Sequence, residues 1–203
     1  MSKLHSLTWL DPSPAASAVD DGCQTLIQRC LEGDEIAFQT LYNQHSGMVY
    51  RLAFSLLQHK EDAEEVLQDS FDYAFRKLSH YDSRKSAFKT WLYRITVSRC
   101  RNKRRRKWLP TFSLNQYPDQ NIHDHYTPTP DNIMELDDQQ KVIWEALGEL
   151  SLKLRETAIL RYYHGLRYNE IGEVLGIPAK TAESRMRLAH KALRDYLDRE
   201  DLR

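Results

Sequence analysis

An all-α fold, two small helical domains joined by a flexible linker, is the class this sequence predicts on three observations. Apolar residues recur at spacings of three and four through most of the chain, and no strand-like alternation runs beyond a few residues. A proline-interrupted polar stretch also divides the periodic segments. A chain of 203 residues is long enough for one large or two small domains, each burying its own core.

Residues 1–21 carry Pro12, Pro14 and small side chains without periodicity, and read as a flexible N-terminal arm. Helical spacing starts near Thr25 with Leu26, Ile27 and Leu31, and breaks at Gly33-Asp34. It resumes with Ala37, Phe38, Leu41 and Tyr42, then Val49, Leu52, Ala53, Leu56 and Leu57. Ala63, Val66, Leu67, Ser70, Ala74 and Leu78 form the apolar side of an acidic helix whose other face holds Asp62, Glu65, Asp69 and Asp72. Phe88, Trp91, Leu92 and Ile95 stripe the next helix, from which Lys89, Arg94, Arg99 and Arg101 project until it ends in Lys103-Arg104-Arg105-Arg106-Lys107. Together these elements predict an all-α unit over residues 22–107.

From 108 to 135 the composition shifts to Pro110, Pro118, Pro128 and Pro130 among Asn, Gln, Asp, His and Thr. So long a structureless stretch is unusual inside a compact domain, so an interdomain linker is expected. It spans about 90 Å fully extended and about 30 Å as a flexible coil. A second unit over 136–203 begins with Val142, Ile143, Ala146 and Leu147, then Leu154, Ala158, Ile159 and Tyr162. Gly165 marks a turn, and two elements follow at 168–175 and from Pro178 to about Leu197. Gly176 between them, Ile171, Leu175 and Ile177 at buried positions, and small Gly172 at the crossing predict a helix-turn-helix, with Pro178 in the first turn of its second helix.

Charge patterning separates two kinds of surface. The carboxylates of 62–72 suit a basic protein partner, although a run of this kind also serves as a solvated helix face. No acidic residue occurs between Asp82 and Lys107, and such a density of cations repels itself unless an anion answers it; nucleic acid fits best, with a targeting signal or solvated tail as the plain alternative. Because the formal net charge is 0, nucleic-acid binding has to be local. On the last helix Ala182, Met186, Ala189 and Leu193 share one face, opposite Lys180, Ser184, Arg187 and Lys191, with Glu183 and Leu188 flanking. This layout suits a major-groove reading helix: Arg187 for guanine, Glu183 for cytosine, and Lys180, Arg185 and Lys191 for phosphates. An ordinary surface helix with its charges outward is the alternative.

These residues resemble bacterial sigma factors of the extracytoplasmic-function group. Asp62-Ala63-Glu64-Glu65-Val66-Leu67-Gln68-Asp69-Ser70-Phe71 is similar to that family's second conserved segment, and Thr90-Trp91-Leu92-Tyr93-Arg94-Ile95 to its most recognisable signature. Tyr168-Asn169-Glu170-Ile171-Gly172, Gly176-Ile177-Pro178, Thr181, Ser184 and Arg185 are similar to its promoter-reading helix-turn-helix. The resemblance implies sigma domain two over 22–107 and sigma domain four over 136–203, without an intervening domain three.

It further implies that Asp62, Glu65, Gln68, Asp69 and Asp72 dock the clamp helices of the largest subunit of core RNA polymerase, with the polymerase flap region as a second contact. Tyr81 and Trp91 would hold the strand-separated minus-10 element, and the loop Asp82, Ser83, Arg84, Lys85, Ser86 and Ala87 would cup an extruded base. Lys89, Arg94, Arg99, Lys103, Arg104, Arg105 and Arg106 would steer the backbone. Lys180, Thr181, Glu183, Ser184, Arg185, Arg187, Leu188 and Lys191 would meet the minus-35 duplex. Promoter elements about two helical turns apart, each roughly 34 Å, lie within the linker's reach. Promoter DNA and an anti-sigma protein are the further partners implied. Ala182, where the family usually has valine or isoleucine, and Gly172, where alanine is common, depart from the pattern and leave promoter sequence open.

Other chemistry finds little footing. Cys23, Cys30 and Cys100 lack CxxC spacing and a disulfide framework, so a reducing cytoplasm is the expected compartment. No signal peptide or membrane-length apolar run is seen. His123, Asp124 and His125 lie in the proline-rich stretch without further fixed ligands, and the carboxylates of 62–72 lack a pocket signature for magnesium. Cys100 reads as a packed residue, not a nucleophile. No enzymatic activity, cofactor or metal is expected. The rival reading is a two-domain helix-turn-helix repressor or activator acting on duplex DNA without polymerase docking.

Overall fold

The computed structural model describes residues 21–108 and 138–200, and the N-terminal arm and most of the proline-rich stretch, including its histidines, lie outside them. The described residues are helical and divide into two compact units. The first holds α1 (Asp21–Leu31), α2 (Glu35–Leu57), α3 (Lys60–Arg76), a 3-10 turn (Leu78–His80) and α4 (Phe88–Trp108). The second holds α5 (Asp138–Gly148), α6 (Leu152–Tyr162), α7 (Tyr168–Leu175) and α8 (Ala179–Glu200).

Local chemistry sets the corners of the first unit. Gly33 takes a left-handed φ of 88°, and Asp34 caps α2 by accepting from the amides of Ile36 at 2.9 Å and Ala37 at 3.2 Å. Its other oxygen accepts from Arg29 at 2.6 Å, and that bond above all holds the Asp34 carboxyl below its usual range. The break between α2 and α3 carries no glycine or proline. There Gln58 adopts φ 51°, donating its amide to the Phe54 carbonyl at 2.7 Å, and His59 caps α3 by accepting from the Asp62 amide at 3.4 Å.

Helices α2, α3 and α4 pack on one another, with α1 against α2. Leu41, Val49, Leu52 and Leu56 of α2, Val66 of α3, and Leu92 and Val97 of α4 are fully enclosed. Truncating one of these leucines to alanine costs about 2–5 kcal/mol, the spread reflecting how far the site collapses. Phe38, Tyr42, Phe71 and Phe75 add an aromatic seam between α2 and α3, with ring centroids 4.8–5.5 Å apart.

In the second unit Ile159, Leu160, Ile171 and Met186 centre the core. Buried Arg155 donates to the carbonyls of Leu147 at 2.8 Å, Leu150 at 3.1 Å and Gly148, answering the orphan acceptors where α5 ends. Gly176 ends α7 in the left-handed region at φ 71°, and Ile177 donates its amide back to the Gly172 carbonyl at 2.9 Å. A Cβ on Gly172 would lie 2.6 Å from the Ile177 carbonyl oxygen, so this crossing is closed to alanine unless the turn shifts. Pro178, expected inside the first turn of α8, stands just ahead of it. Its carbonyl accepts the first helical bonds, from Thr181 and Ala182, which is the cap position.

Candidate polymerase and nucleic-acid interfaces

Helix α3 presents Glu65, Gln68, Asp69 and Asp72 to solvent, and Glu61 extends the same face by one turn. Asp72 pairs with Arg76 at 2.5 Å, so one cation tempers the face at its C-terminal end. Asp62 corrects the expectation: it is 7% exposed and turned toward α4, meeting Lys103 of that helix at 3.5 Å and His59, the cap of its own helix, at 3.6 Å. The reason is rotational. Asp62 sits three residues before Glu65, at the edge of the helix face, and a carboxylate there is stable in the interior only with a cation beside it.

Lys103 is that cation, and it also corrects the expectation. Its ammonium bonds Glu65 as well as Asp62, and the Glu65 bond above all holds its pKa above the usual lysine value. Arg104 likewise turns inward and donates to the Leu56 carbonyl in the last turn of α2, where unpaired carbonyls favour a cation. A helix repeating every 3.6 residues cannot present four consecutive side chains on one side. Arg105, bonded to Asn102 at 3.3 Å, and Arg106 remain exposed.

The loop before α4 is stapled at both ends. The Tyr81 hydroxyl donates to the Ser86 carbonyl at 3.0 Å, and its half-buried ring packs against Phe88 and Trp91 at 5.4 and 5.3 Å. Asp82 accepts from the Arg84 amide and guanidinium at 3.0 Å, which chiefly lowers its carboxyl pKa, while Lys85 approaches at 3.9 Å. Ser83, Arg84, Lys85 and Ala87 are exposed at the rim, with Ser86 partly covered. Lys89 is exposed and lies 5.8 Å from the Tyr93 ring.

Beside the loop, Tyr73 of α3 and Trp91, Arg94, Ile95, Ser98, Arg99 and Asn102 of α4 line an open groove. The Arg99 guanidinium stands 4.5 Å from the Tyr73 ring centre. Trp91, Arg94 and Arg99 were expected here, whereas Tyr73, Ser98 and Asn102 were not. Tyr73 belongs by sequence to the acidic helix, and only the packing of α3 on α4 brings it to the cations. An aromatic face and guanidinium groups side by side are the chemistry that grips unstacked bases and their phosphates.

In the second unit α7 and α8 form the expected helix-turn-helix. Ala182, Met186 and Ala189 are buried, Leu193 partly so, while Lys180, Glu183, Arg187, Leu188 and Lys191 are exposed and Thr181, Ser184 and Arg185 half-exposed. Tyr162 and His190 hydrogen-bond between α6 and α8, and burial first, then the Arg194 charge, hold the His190 pKa below its usual value. The cationic side of α8 is therefore carried by Lys and Arg. Among the described residues no His, Cys, Asp and Glu cluster has the arrangement to hold a metal ion, and no helix is long and apolar enough to cross a membrane.

Comparison with known proteins gives the same division. The Sigma-70 region 2 profile matches residues 41–109, and the Sigma-70, region 4 profile matches 140–193. An ECF RNA polymerase sigma factor, SigE of Mycolicibacterium smegmatis, is 32% identical over 97% of this chain and 75% of its own length. SigW of Bacillus subtilis is 30% identical over 84% of this chain and 94% of its own. The fold is that of CnrH, solved with the cytosolic domain of CnrY, at a TM-score of 0.66 and 23% identity over 88% of this chain and 98% of that one. With helices, loop, groove and reading helix arranged as above, and relatives matched over most of their length, the chain belongs to the extracytoplasmic-function group of RNA polymerase sigma factors.

Proposed function

We propose that this sigma factor works through two separate surfaces of its first unit and one of its second. The exposed Glu65, Gln68, Asp69 and Asp72 dock the clamp helices of the polymerase's largest subunit. The 81–87 loop, Trp91, Arg94 and Arg99 hold the strand-separated minus-10 element. The exposed side of α8 meets the minus-35 duplex, and this second unit sits at the polymerase flap. In domain terms 22–107 is sigma domain two and 136–203 sigma domain four, joined through 108–135.

One observation carries this reading: a single unit of four helices combines exposed carboxylates on α3 with an aromatic-cationic groove lined by α3 and α4. A duplex-only regulator has no use for the groove, since single strands are gripped by stacking and duplex by a helix in the major groove. The chain acts in the cytoplasm, in a stress or envelope-signal response. An anti-sigma protein holds it silent; a protein of this fold, the sigma factor RpoE of Bartonella quintana, was solved in complex with the anti-sigma factor NepR.

The test is transcription in vitro. Core polymerase with the purified chain should start at a defined position on templates selected from genomic fragments, and core alone should not. Specific duplex binding by the free chain, with no start sites in the presence of core polymerase, would favour the repressor or activator reading.

A further inference from the structure

Glu65 faces two ways. One of its carboxylate oxygens accepts from the Lys103 ammonium of α4, yet the side chain leaves half its surface in water, on the α3 face assigned to core polymerase. Lys103 is held from its other side by Asp62 at 3.5 Å and is largely covered, whereas Arg105 and Arg106 of the same cationic run stand in water. Two carboxylates therefore meet one ammonium where α3 packs on α4, an excess of negative charge beside the exposed cations.

This arrangement makes the strength of the basic end of α4 conditional. A phosphate approaching it is drawn by Arg105 and Arg106, but Lys103 is already occupied and the surplus carboxylate repels the phosphate. A basic group of a partner bound at Glu65 changes both: it neutralises the surplus carboxylate and competes for the oxygen that Lys103 uses. Lys103 then has a flexible four-carbon stem on which to turn its ammonium outward, and Asp62 keeps His59 at 3.6 Å. We infer that the Lys103–Glu65 contact is an autoinhibitory latch, which keeps Lys103 from DNA in the free chain and is opened when core polymerase docks on α3, so that Lys103 meets a phosphate only in the holoenzyme. Linkage makes the effect reciprocal, because a phosphate that draws Lys103 away leaves Glu65 open to the polymerase. The inference rests on the reading of α3 as the docking face.

Salt titrations on a forked minus-10 probe test the latch, run once with the free chain and once with core polymerase saturated by it. Each phosphate neutralised on a single strand steepens the fall of log affinity with log salt by about 0.7, or about 2.5-fold in affinity between about 50 and 200 mM salt. Lys103→Met should leave the slope of the free chain unchanged and flatten that of the holoenzyme by this amount. Lys103→Arg, which keeps the charge, should restore the holoenzyme slope. Glu65→Gln opens the latch without polymerase and should steepen the slope of the free chain by the same amount.

A holoenzyme slope that Lys103→Met leaves unchanged, or an equal flattening in the free chain, overturns the latch. So does a free-chain slope that Glu65→Gln does not steepen. A purely structural ion pair would move the melting temperature and neither slope. Glu65→Gln replaces a half-exposed side chain by one of the same shape, so this arm reads a folded chain even if Lys103→Met does not fold. Failure of the docking reading shows separately, as core affinity undiminished by charge reversal at Asp69 and Asp72, and removes the latch with it.

Discussion

Replacing Lys103 by methionine asks whether the basic end of α4 serves DNA, the fold, or both. Its side chain is 18% exposed against 10% for Asp62, so the pair is neither a surface contact nor fully enclosed. Breaking one partner costs about 0–1 kcal/mol at the surface and about 3–5 kcal/mol in the interior, which places Lys103→Met at about 1–2 kcal/mol. For a domain of this size that lowers melting by roughly 5–10 °C. Arg104→Met should fall in the same range, since it removes a charged hydrogen bond to the end of α2, worth about 1.5–3 kcal/mol before the carbonyl regains water. Arg105→Ala and Arg106→Ala should stay within about 0.5 kcal/mol of the parent.

DNA binding should show the opposite order. Losing Arg105 and Arg106 together should flatten the dependence of log affinity on log salt by about 1.4, from about 0.7 per phosphate neutralised on single strands. Lys103→Met should leave that slope unchanged. There is a pH signature as well: Lys103 is raised above 10.5 by its partners, so its stabilisation is complete below that value and lost as pH climbs through the folded-state pKa. The methionine variant should lack that alkaline loss. The assay pairs thermal melts from neutral to alkaline pH with titrations on a forked minus-10 probe at several salt concentrations. If Lys103→Met melts like the parent and flattens the salt slope as Arg105→Ala does, the inward placement of Lys103 is wrong.

Three further outcomes are expected. Reversing Asp69 and Asp72 to lysine together should weaken core polymerase affinity about tenfold or more while the melting temperature holds, and undiminished affinity would remove the assigned docking surface. Glu65 is left in place because it is bonded to the part-buried Lys103, whereas the Asp72–Arg76 pair is exposed on both sides and its loss costs little. Trp91→Ala should cost about 2 kcal/mol, less than for an enclosed tryptophan because Trp91 is half-exposed, and should also impair promoter opening; a variant that melts like the parent yet fails to open promoters would leave only the DNA role. Asp34, lowered below 3.8 chiefly by Arg29, stabilises the fold above that pH and loses its contribution as pH falls through the folded value. Asp34→Asn, which keeps a capping oxygen, should therefore show a shallower loss of melting temperature between pH 5 and about pH 2 in an acid titration, and an unchanged acid profile would mean the Arg29 contact carries no weight.

Much of this protein was legible in its amino-acid order because the decisive signals are local. The 3.6-residue period sets which side of α3 holds Val66 and Ser70, and which side of α8 holds Ala182 and Met186, without reference to any neighbour. Gly33-Asp34 and Gly176 mark breaks because their backbone and capping preferences act within a few residues. The proline-rich stretch stands apart on composition alone. Tertiary structure decided what depends on partners far along the chain. Whether Lys103 faces DNA or protein turns on Glu65, 38 residues earlier, and the direction of Arg104 on the Leu56 carbonyl, 48 residues earlier. Asp62 turned inward and Tyr73 toward the cations for the same reason: α3 and α4 pack at a rotation that periodicity does not specify. Gln58 takes a left-handed turn with no glycine to announce it, held by the Phe54 carbonyl and the core on either side. Local sequence chooses the helices and their apolar faces; packing chooses which polar groups on those faces answer one another and which are left for polymerase and DNA.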